Sequence, residues 1–550
     1  MSVRNGIVLL LAVSTLVFLP GCGSSNSSPT AVAPPSGAFS NSNLNGTYVF
    51  SVSGDDLNGY PYAIVGTITA NGSGGNGTGT ITGGTIDIVD SEVAPAVGLS
   101  VNNNGQYQVG PDGRGTVTIG TAAANPFGGN MTFDFVLQNS FHGLITEFDT
   151  FGSGSGTIDA QTSGVTQASL TGTYAFSFSG GDGNTGYPLA TVGNFTIGSG
   201  GAITAGIEDF NDANLPYANE ALVGTVLLGP SATTTLSSAL GGLTFDVYAI
   251  DATHLKFIET DSLEFLSGDA YSQTSATVPT GALAFTLTGY LGAPVSSAAP
   301  FAAGGFLVTD GNGNISGSED ENDGGSPSPA AIAFTGTYTA DGSGRFTLTT
   351  PSPFVGGTQY AAYPSSGGLL MLEIDSSGTT SGAAYLQSTT AFAASQGYAM
   401  NLSGVNLGAS TGSEAVVDDI AEFTATGSSS SGTATGILDE NYEPGGAPVF
   451  KLAFSDGSYG SIDATGRYGI SADVGNNSIT SLNGGFALTY YSVDGTTFPF
   501  IESDSGQVST GVIVEQNEAA TSAVAAKSGS HLFVVRPLIQ PHALSKKKKL

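Results

Sequence analysis

The sequence predicts an all-β protein of four tandem antiparallel meander domains, on three observations. Apolar residues alternate with period two or form short β-branched runs, the pattern of strands rather than helices. The stretches between them are short and rich in glycine, which supplies 82 of 550 residues. One sequence unit also recurs four times, and an internal repeat of this length marks an array of like domains.

The unit is visible at both ends. Leu44-Asn45-Gly46-Thr47-Tyr48-Val49-Phe50 returns as Leu170-Thr171-Gly172-Thr173-Tyr174-Ala175-Phe176, and more weakly from Gly281 and from Gly397. The closing Gly156-Thr157-Ile158-Asp159-Ala160-Gln161 matches segments ending at Gln273, Gln387 and Gln516. The repeats are therefore placed at 44–161, 170–273, 281–387 and 396–516, each long enough to bury its own core. In the first repeat, strands are expected at Thr47–Ser53, Tyr62–Thr69, Gly79–Val89, Gln106–Val109, Gly115–Gly120, Met131–Gln138, Leu144–Phe148 and Thr157–Ala160. Eight strands joined by tight turns must close or stack to hide their edges, so an up-and-down barrel is preferred, with a two-sheet sandwich as the alternative. The Gly-Thr-Tyr opening strand resembles that of lipocalin- and avidin-like barrels.

Composition bounds the function. Twelve Lys and Arg face 44 Asp and Glu, a net charge of −32, which argues against a nucleic-acid partner. One cysteine excludes a disulfide scaffold. That cysteine follows Arg4 and an apolar run from Ile7 to Phe18, too short to cross a bilayer. Leu19-Pro20-Gly21-Cys22 resembles the lipobox of bacterial lipoproteins. The resemblance implies that residues 1–21 are a signal peptide, that Cys22 is acylated, and that residues 22–43 tether the body to a membrane. Gly23 rather than Asp after the cysteine implies the outer membrane. The tail, 517–550, carries Leu532-Phe533-Val534-Val535 and four terminal lysines, Lys546 to Lys549, and reads as a solvated basic end or a contact for an anionic surface.

Three repeated columns carry charge. Glu-x-Asp recurs as Glu147/Asp149, Glu259/Asp261, Glu373/Asp375 and Glu502/Asp504. Residues two apart share a strand face, so each pair resembles the carboxylates of a glycoside hydrolase, but four identical copies read better as a strand end meeting water. A second acidic column lies on the turn after the third strand: Asp87/Asp90, Glu208-Asp209-Phe210-Asn211-Asp212, Glu319-Asp320-Glu321-Asn322-Asp323 and Asp439-Glu440-Asn441. The crowded carboxylates of the third repeat are expected to splay into solvent. With Asp310, Asn312 and Asn314 just upstream, the set Asp310, Asn312, Asn314, Asp320, Glu321 and Asp323 offers oxygen ligands of the kind Ca²⁺ takes; otherwise these are turn residues, and no cofactor is implied. Arg114, Arg345 and Arg467 form a column of structural cations, expected either to bridge an acidic column or to lie solvated in a turn. His142 and His254 are repeat-equivalent and read as neutral surface residues.

No phosphate loop, His/Cys metal spacing or triad is legible. The function expected is a lipid-anchored cell-envelope protein with a non-enzymatic structural, adhesive or interaction role, in contact with a membrane through its anchor and with a protein or glycan partner. The alternatives are a set of barrels that carry apolar ligands in their lumens and, third, a carboxylate-dependent glycan hydrolase.

Overall fold

The computed structural model describes residues 39–519, apart from 75–76, 262, 351–355, 388–389, 394, 408–414, 429–430, 444–447, 462 and 474–484. The signal segment, Cys22, most of the tether and the basic tail beyond residue 519 lie outside the described residues. Four up-and-down antiparallel barrels of eight strands follow one another along the chain. The first, third and fourth are closed, and the second is nearly closed, its seam spanned by an isolated bridge between Ala202 and Thr225. The sandwich alternative is thereby set aside.

The first barrel shows how the sequence builds the unit. Its strands are Asn45–Asp56, Pro61–Asn71, Gly79–Asp90, Gly105–Val109, Arg114–Ile119, Met131–Leu137, His142–Phe148 and Gly152–Ala160. A ninth strand, Val93–Ser100, pairs with the far half of Gly79–Asp90 and stands outside the barrel wall. Period-two alternation sends Tyr48, Phe50 and Val52 into the lumen. Val49 points the other way, into a cluster with Val65, Val89, Tyr248, Ile250 and Ile258 of two different barrels. Burial on both faces explains why these strands read as apolar runs rather than clean alternations.

Each lumen is a packed core. In the second barrel Phe178 lies 5.1 Å from Phe257 and 5.4 Å from Phe245, ring centre to ring centre. In the fourth, Phe392 sits 4.6 Å from Phe498 and 4.8 Å from Tyr490. Residues that precede the opening strand join the core of the barrel that follows them: Phe39, Leu170, Val278 and Phe392. Each buried aromatic contributes roughly 1.5–3 kcal/mol. The glycine shared by the closing strands has a steric cause. A Cβ on Gly156, Gly268, Gly382 or Gly511 would collide with the carbonyl oxygen of Ser51, Ser177, Thr286 or Asn401 on the opening strand.

The barrels are arranged in a closed cycle. The first three strands of each pack against later strands of the next: barrel 1 on 2, 2 on 3, 3 on 4, and 4 back on 1. Head-to-tail contacts of this kind close into a ring when the rotation between units permits. An apolar cluster touches all four barrels, with Val136 and Leu144 from the first, Val192 from the second, Leu370 and Leu372 from the third, and Ile420 and Val512 from the fourth.

Candidate functional site

The repeated polar columns converge on the four junctions of this ring. At the 2–3 junction Asp209, on strand Ile203–Asp212, is fully buried. Its carboxylate accepts from Arg345 Nε at 2.7 Å, from Arg345 Nη2 at 2.6 Å and from the Tyr363 hydroxyl, all on barrel 3. It also accepts the backbone N–H of Asn219 on its own barrel at 2.9 Å. At the 3–4 junction Asp320 accepts from Arg467 Nε and Nη2, both at 2.6 Å, and from the Tyr491 hydroxyl. At the 4–1 junction Asp439 pairs with Arg114, 325 residues away in sequence, and accepts the N–H of Lys451 at 2.6 Å. At the 2–3 and 3–4 junctions the pair is bidentate, and Arg114 meets Asp439 through Nη2; charge-assisted arginine–carboxylate pairs are strong and directional, so they fix register between barrels.

A second clamp uses an asparagine two residues on. Asn211 Nδ2 donates to the carbonyls of Glu373, Asp375 and Gly378 at 3.1, 3.3 and 2.8 Å. Asn322 does the same to Glu502, Asp504 and Gln507, and Asn441 to Glu147, Asp149 and Gly152. The Glu-x-Asp turns are thus receptors for the neighbouring barrel, through their backbone. A third clamp is the terminal glutamine of each repeat. Gln161, Gln273, Gln387 and Gln516 donate Nε2 to backbone carbonyls of the next barrel, at Ala249, Pro364, Thr465 and Leu137.

The first junction departs from this pattern. Val89 stands where the others have asparagine. Gly229 pairs with Val247, so the register puts Leu228 opposite Tyr248, where Arg467 stands opposite Tyr491. Leu228 packs against the core of its own barrel. Asp87 consequently accepts from the Tyr248 hydroxyl at 2.6 Å and from Gly98 N–H at 2.5 Å, with Asp246 of barrel 2 beside it. Burial above all, with Asp246 adding repulsion, pushes its carboxyl up to about 7. Gly98 adopts φ +64°, and Asn219 and Lys451, which present their N–H groups to the equivalent aspartates, both have φ +58°. Lys256 bridges this junction instead, its Nζ donating to Ser51 and Thr157 at 3.0 Å and meeting Asp269 at 3.2 Å.

Several expectations are corrected. The second acidic column lies within buried strands and not on exposed turns. Glu319 and Asp320 are 0% and 4% exposed, so they do not splay into water, because Arg467 reaches across to compensate Asp320. The Glu-x-Asp pairs do not meet water either. Glu147, Glu259, Glu373 and Glu502 are fully buried. They stand opposite the lumen residues Phe133, Phe245, Tyr360 and Leu488. Burial pushes Glu259 up to about 9 and Glu373 up to about 8, and raises Glu502 as well. The paired aspartates close the following turn, Asp149 accepting Thr132 and Phe151 N–H at 2.7 and 2.8 Å, Asp261 those of Thr244 and Leu263, Asp375 that of Ser377, and Asp504 that of Gly506. His142 and His254 are buried rather than on the surface. Their ring nitrogens meet Asp159 at 2.7 Å and Asp269 at 2.6 Å.

The oxygen-ligand set is not assembled. Asp310 sits in an exposed turn, where the Asn314 side chain and the Asn314 and Asn312 N–H groups hold it down to about 2. Asp320, six residues beyond Asn314 along one strand, lies about 20 Å from that turn at strand rise and faces Arg467. Glu321 and Asp323 end the same strand, half-buried. Among the described residues no group of three His, Cys, Asp or Glu side chains is placed to hold a metal.

No family model matches the chain, and no curated protein matches it. Among solved structures, transferrin binding protein B from serogroup B Neisseria meningitidis aligns at 11% identity over 70% of this chain and 83% of its own, with a TM-score of 0.18. A putative AttH from Nitrosomonas europaea aligns at 10% identity over 44% and 98%, with a TM-score of 0.16. A DUF3598-family protein of unknown function from Nostoc punctiforme aligns at 10% identity over 42% and 96%, with a TM-score of 0.11. Scores this low assign neither a family nor a function.

Proposed function

We propose that this chain is an exported, lipid-anchored cell-envelope protein whose ring of barrels serves a non-enzymatic structural or interaction role. One observation carries the reading: the repeated polar columns are directed at the neighbouring barrel, not at a shared cleft. The carboxylates that would have served a hydrolase are either turned into a packed lumen or bonded to the turn that follows them. Packed aromatic lumens also favour this reading over a carrier of apolar ligands. The anchor rests on Cys22 and the segment before it. Acylation through more than one chain would hold the ring at a membrane, since a single chain binds only marginally. The outer membrane is the proposed address, and a protein or glycan surface the proposed partner.

The experiment is fractionation of a Gram-negative host expressing the full chain and the Cys22→Ala variant. The full chain is expected in the membrane fraction and the variant in the soluble one. A variant that stays with the membrane defeats the anchor. Glycan hydrolysis by the purified chain that disappears on Glu259→Gln would defeat the non-enzymatic role.

A further inference from the structure

The two ends of the described chain leave the ring at one turn of barrel 1, Pro111-Asp112-Gly113. Phe39, the first described residue, donates its N–H to the Pro111 carbonyl at 3.2 Å. Gln516 donates Nε2 to the Asp112 carbonyl at 2.8 Å, and the Asn517 N–H reaches the Gln138 carbonyl at 2.7 Å. A Cβ on Gly113 would come within 2.6 Å of Gln516 Nε2 and 3.1 Å of Phe39 Cδ2. Strand direction alternates around an up-and-down barrel, so this turn lies at the end of the ring where each terminal glutamine clamps the next barrel. Charge is divided unevenly between the ring and what leaves it. Residues 39–519 hold all 44 acids and five of the 12 Lys and Arg, a net charge of −39. Residues 520–550 hold six, Lys527, Arg536 and Lys546 to Lys549, and no acid. The acids nearest the exit already have donors. Asp112, Asp341, Asp463 and Asp494 accept backbone N–H groups of their own turns, from Arg114, Ser343, Thr465 and Thr496.

We propose that residues 520–550 are a second membrane contact, whose lysines bind anionic lipid headgroups beside the acyl anchor at Cys22. The inference rests on the lipid-anchored reading for the presence of a membrane, and on the shared exit and the charge division for the contact itself. Extended, residues 22–38 span at most about 60 Å and residues 520–546 about 90 Å, so both reach a bilayer from one point on the ring. The ring then stands farther off than the Debye length of about 8–10 Å, and its own negative charge is screened from the surface. Because tether and tail start at one turn, anchoring through Cys22 makes the headgroup contact intramolecular, at a high effective concentration. A lipid chain and a basic cluster together hold where either alone binds reversibly. Each lysine close to an anionic surface raises affinity about fivefold, so the tail makes the attachment depend on headgroup charge.

The test is co-sedimentation of the full chain carrying Cys22→Ala with phosphatidylglycerol–phosphatidylcholine vesicles, against pure phosphatidylcholine. The substitution removes the acylation site, so failure here leaves the anchor standing, and failure of the anchor leaves this binding standing. Binding to the charged vesicles alone is expected at low salt. It should be lost as salt rises from about 0.01 to 1 M, over which the Debye length falls from about 30 to 3 Å. That sensitivity is why the same variant is expected in the soluble fraction of cells. Adding Lys546→Gln, Lys547→Gln, Lys548→Gln and Lys549→Gln together should weaken the binding by a factor on the order of 10²–10³ and leave the melting temperature unchanged. Equal binding to both kinds of vesicle, or binding that survives the four substitutions, would overturn the proposal. Absence of binding to the charged vesicles would overturn it too, and a lower melting temperature in the lysine variant would then assign the tail to the acidic turns of the ring.

Discussion

The same substitution in the same column should have opposite effects at two junctions. In Asp209→Asn the Arg345 guanidinium, whose side chain is 8% exposed, loses its counter-charge while staying buried. Removing one partner of a buried pair costs about 3–5 kcal/mol, because the remaining charge is uncompensated. In Asp87→Asn nothing positive is orphaned. The amide still accepts Gly98 N–H through its oxygen and offers an N–H to the Tyr248 hydroxyl. It also ends the cost of ionising a carboxyl whose folded value, about 7, stands above its ordinary 3.8. A raised acid contributes stability below its unfolded value that is lost as pH climbs through the folded one. The gain from Asp87→Asn is therefore absent near pH 4 and on the order of 1–4 kcal/mol at pH 8, one pKa unit being about 1.4 kcal/mol. Scanning calorimetry of both variants at pH 5 and pH 8 is the assay. Asp209→Asn should melt lower at both, and Asp87→Asn higher at pH 8 and higher by only about a third of that margin at pH 5. Equal destabilisation by the two would refute the reasoning, since it would mean that the aspartate column serves only as a hydrogen-bond acceptor.

Further outcomes follow from the same geometry. Burial also holds Asp134 and Glu422 up to about 8, beside Glu259 at about 9 and Glu373 at about 8, so the folded state binds protons more tightly than the unfolded chain. The melting temperature should fall steadily from pH 5.5 to pH 9, and a rise over that range would contradict these burials. Asn322→Ala removes the amide that three carbonyls of barrel 4 share and should cost about 1–3 kcal/mol by thermal unfolding. A neutral result would show that the clamp does not hold the barrels together. Millimolar CaCl2 should shift the melting temperature no more than NaCl of equal ionic strength, and a Ca²⁺-specific rise abolished by Asp310→Asn would show that a site forms after all.

Much of the architecture was legible because it is local. Period-two patterning located all eight wall strands of the first barrel, and the repeated ends located the units. The ninth strand escaped because Pro95 and Gly98 interrupt its pattern and Gly98 marks a bulge. The columns were visible as columns, but their roles were not, because each acts across a junction on the next copy. Arg114 gives no sign in its own repeat that its partner is Asp439. Asn211, Asn322 and Asn441 were visible in the acidic column but were read as turn residues or oxygen ligands, because their acceptors are backbone carbonyls of the next barrel; Val89 breaks that column in the first repeat, as Val136 breaks the tyrosine column. Charged residues on strands were read as solvent-facing, which holds for a lone barrel but not for one walled in by neighbours.

The central claim is that the fourth barrel closes onto the first. A double-mutant cycle on Arg114→Gln and Asp439→Asn tests it most directly, because in an open string of barrels these residues have no reason to communicate. The closed ring predicts a coupling energy of about 0.5–3 kcal/mol between them in thermal unfolding. Effects that add to within about 0.3–0.5 kcal/mol would contradict the ring.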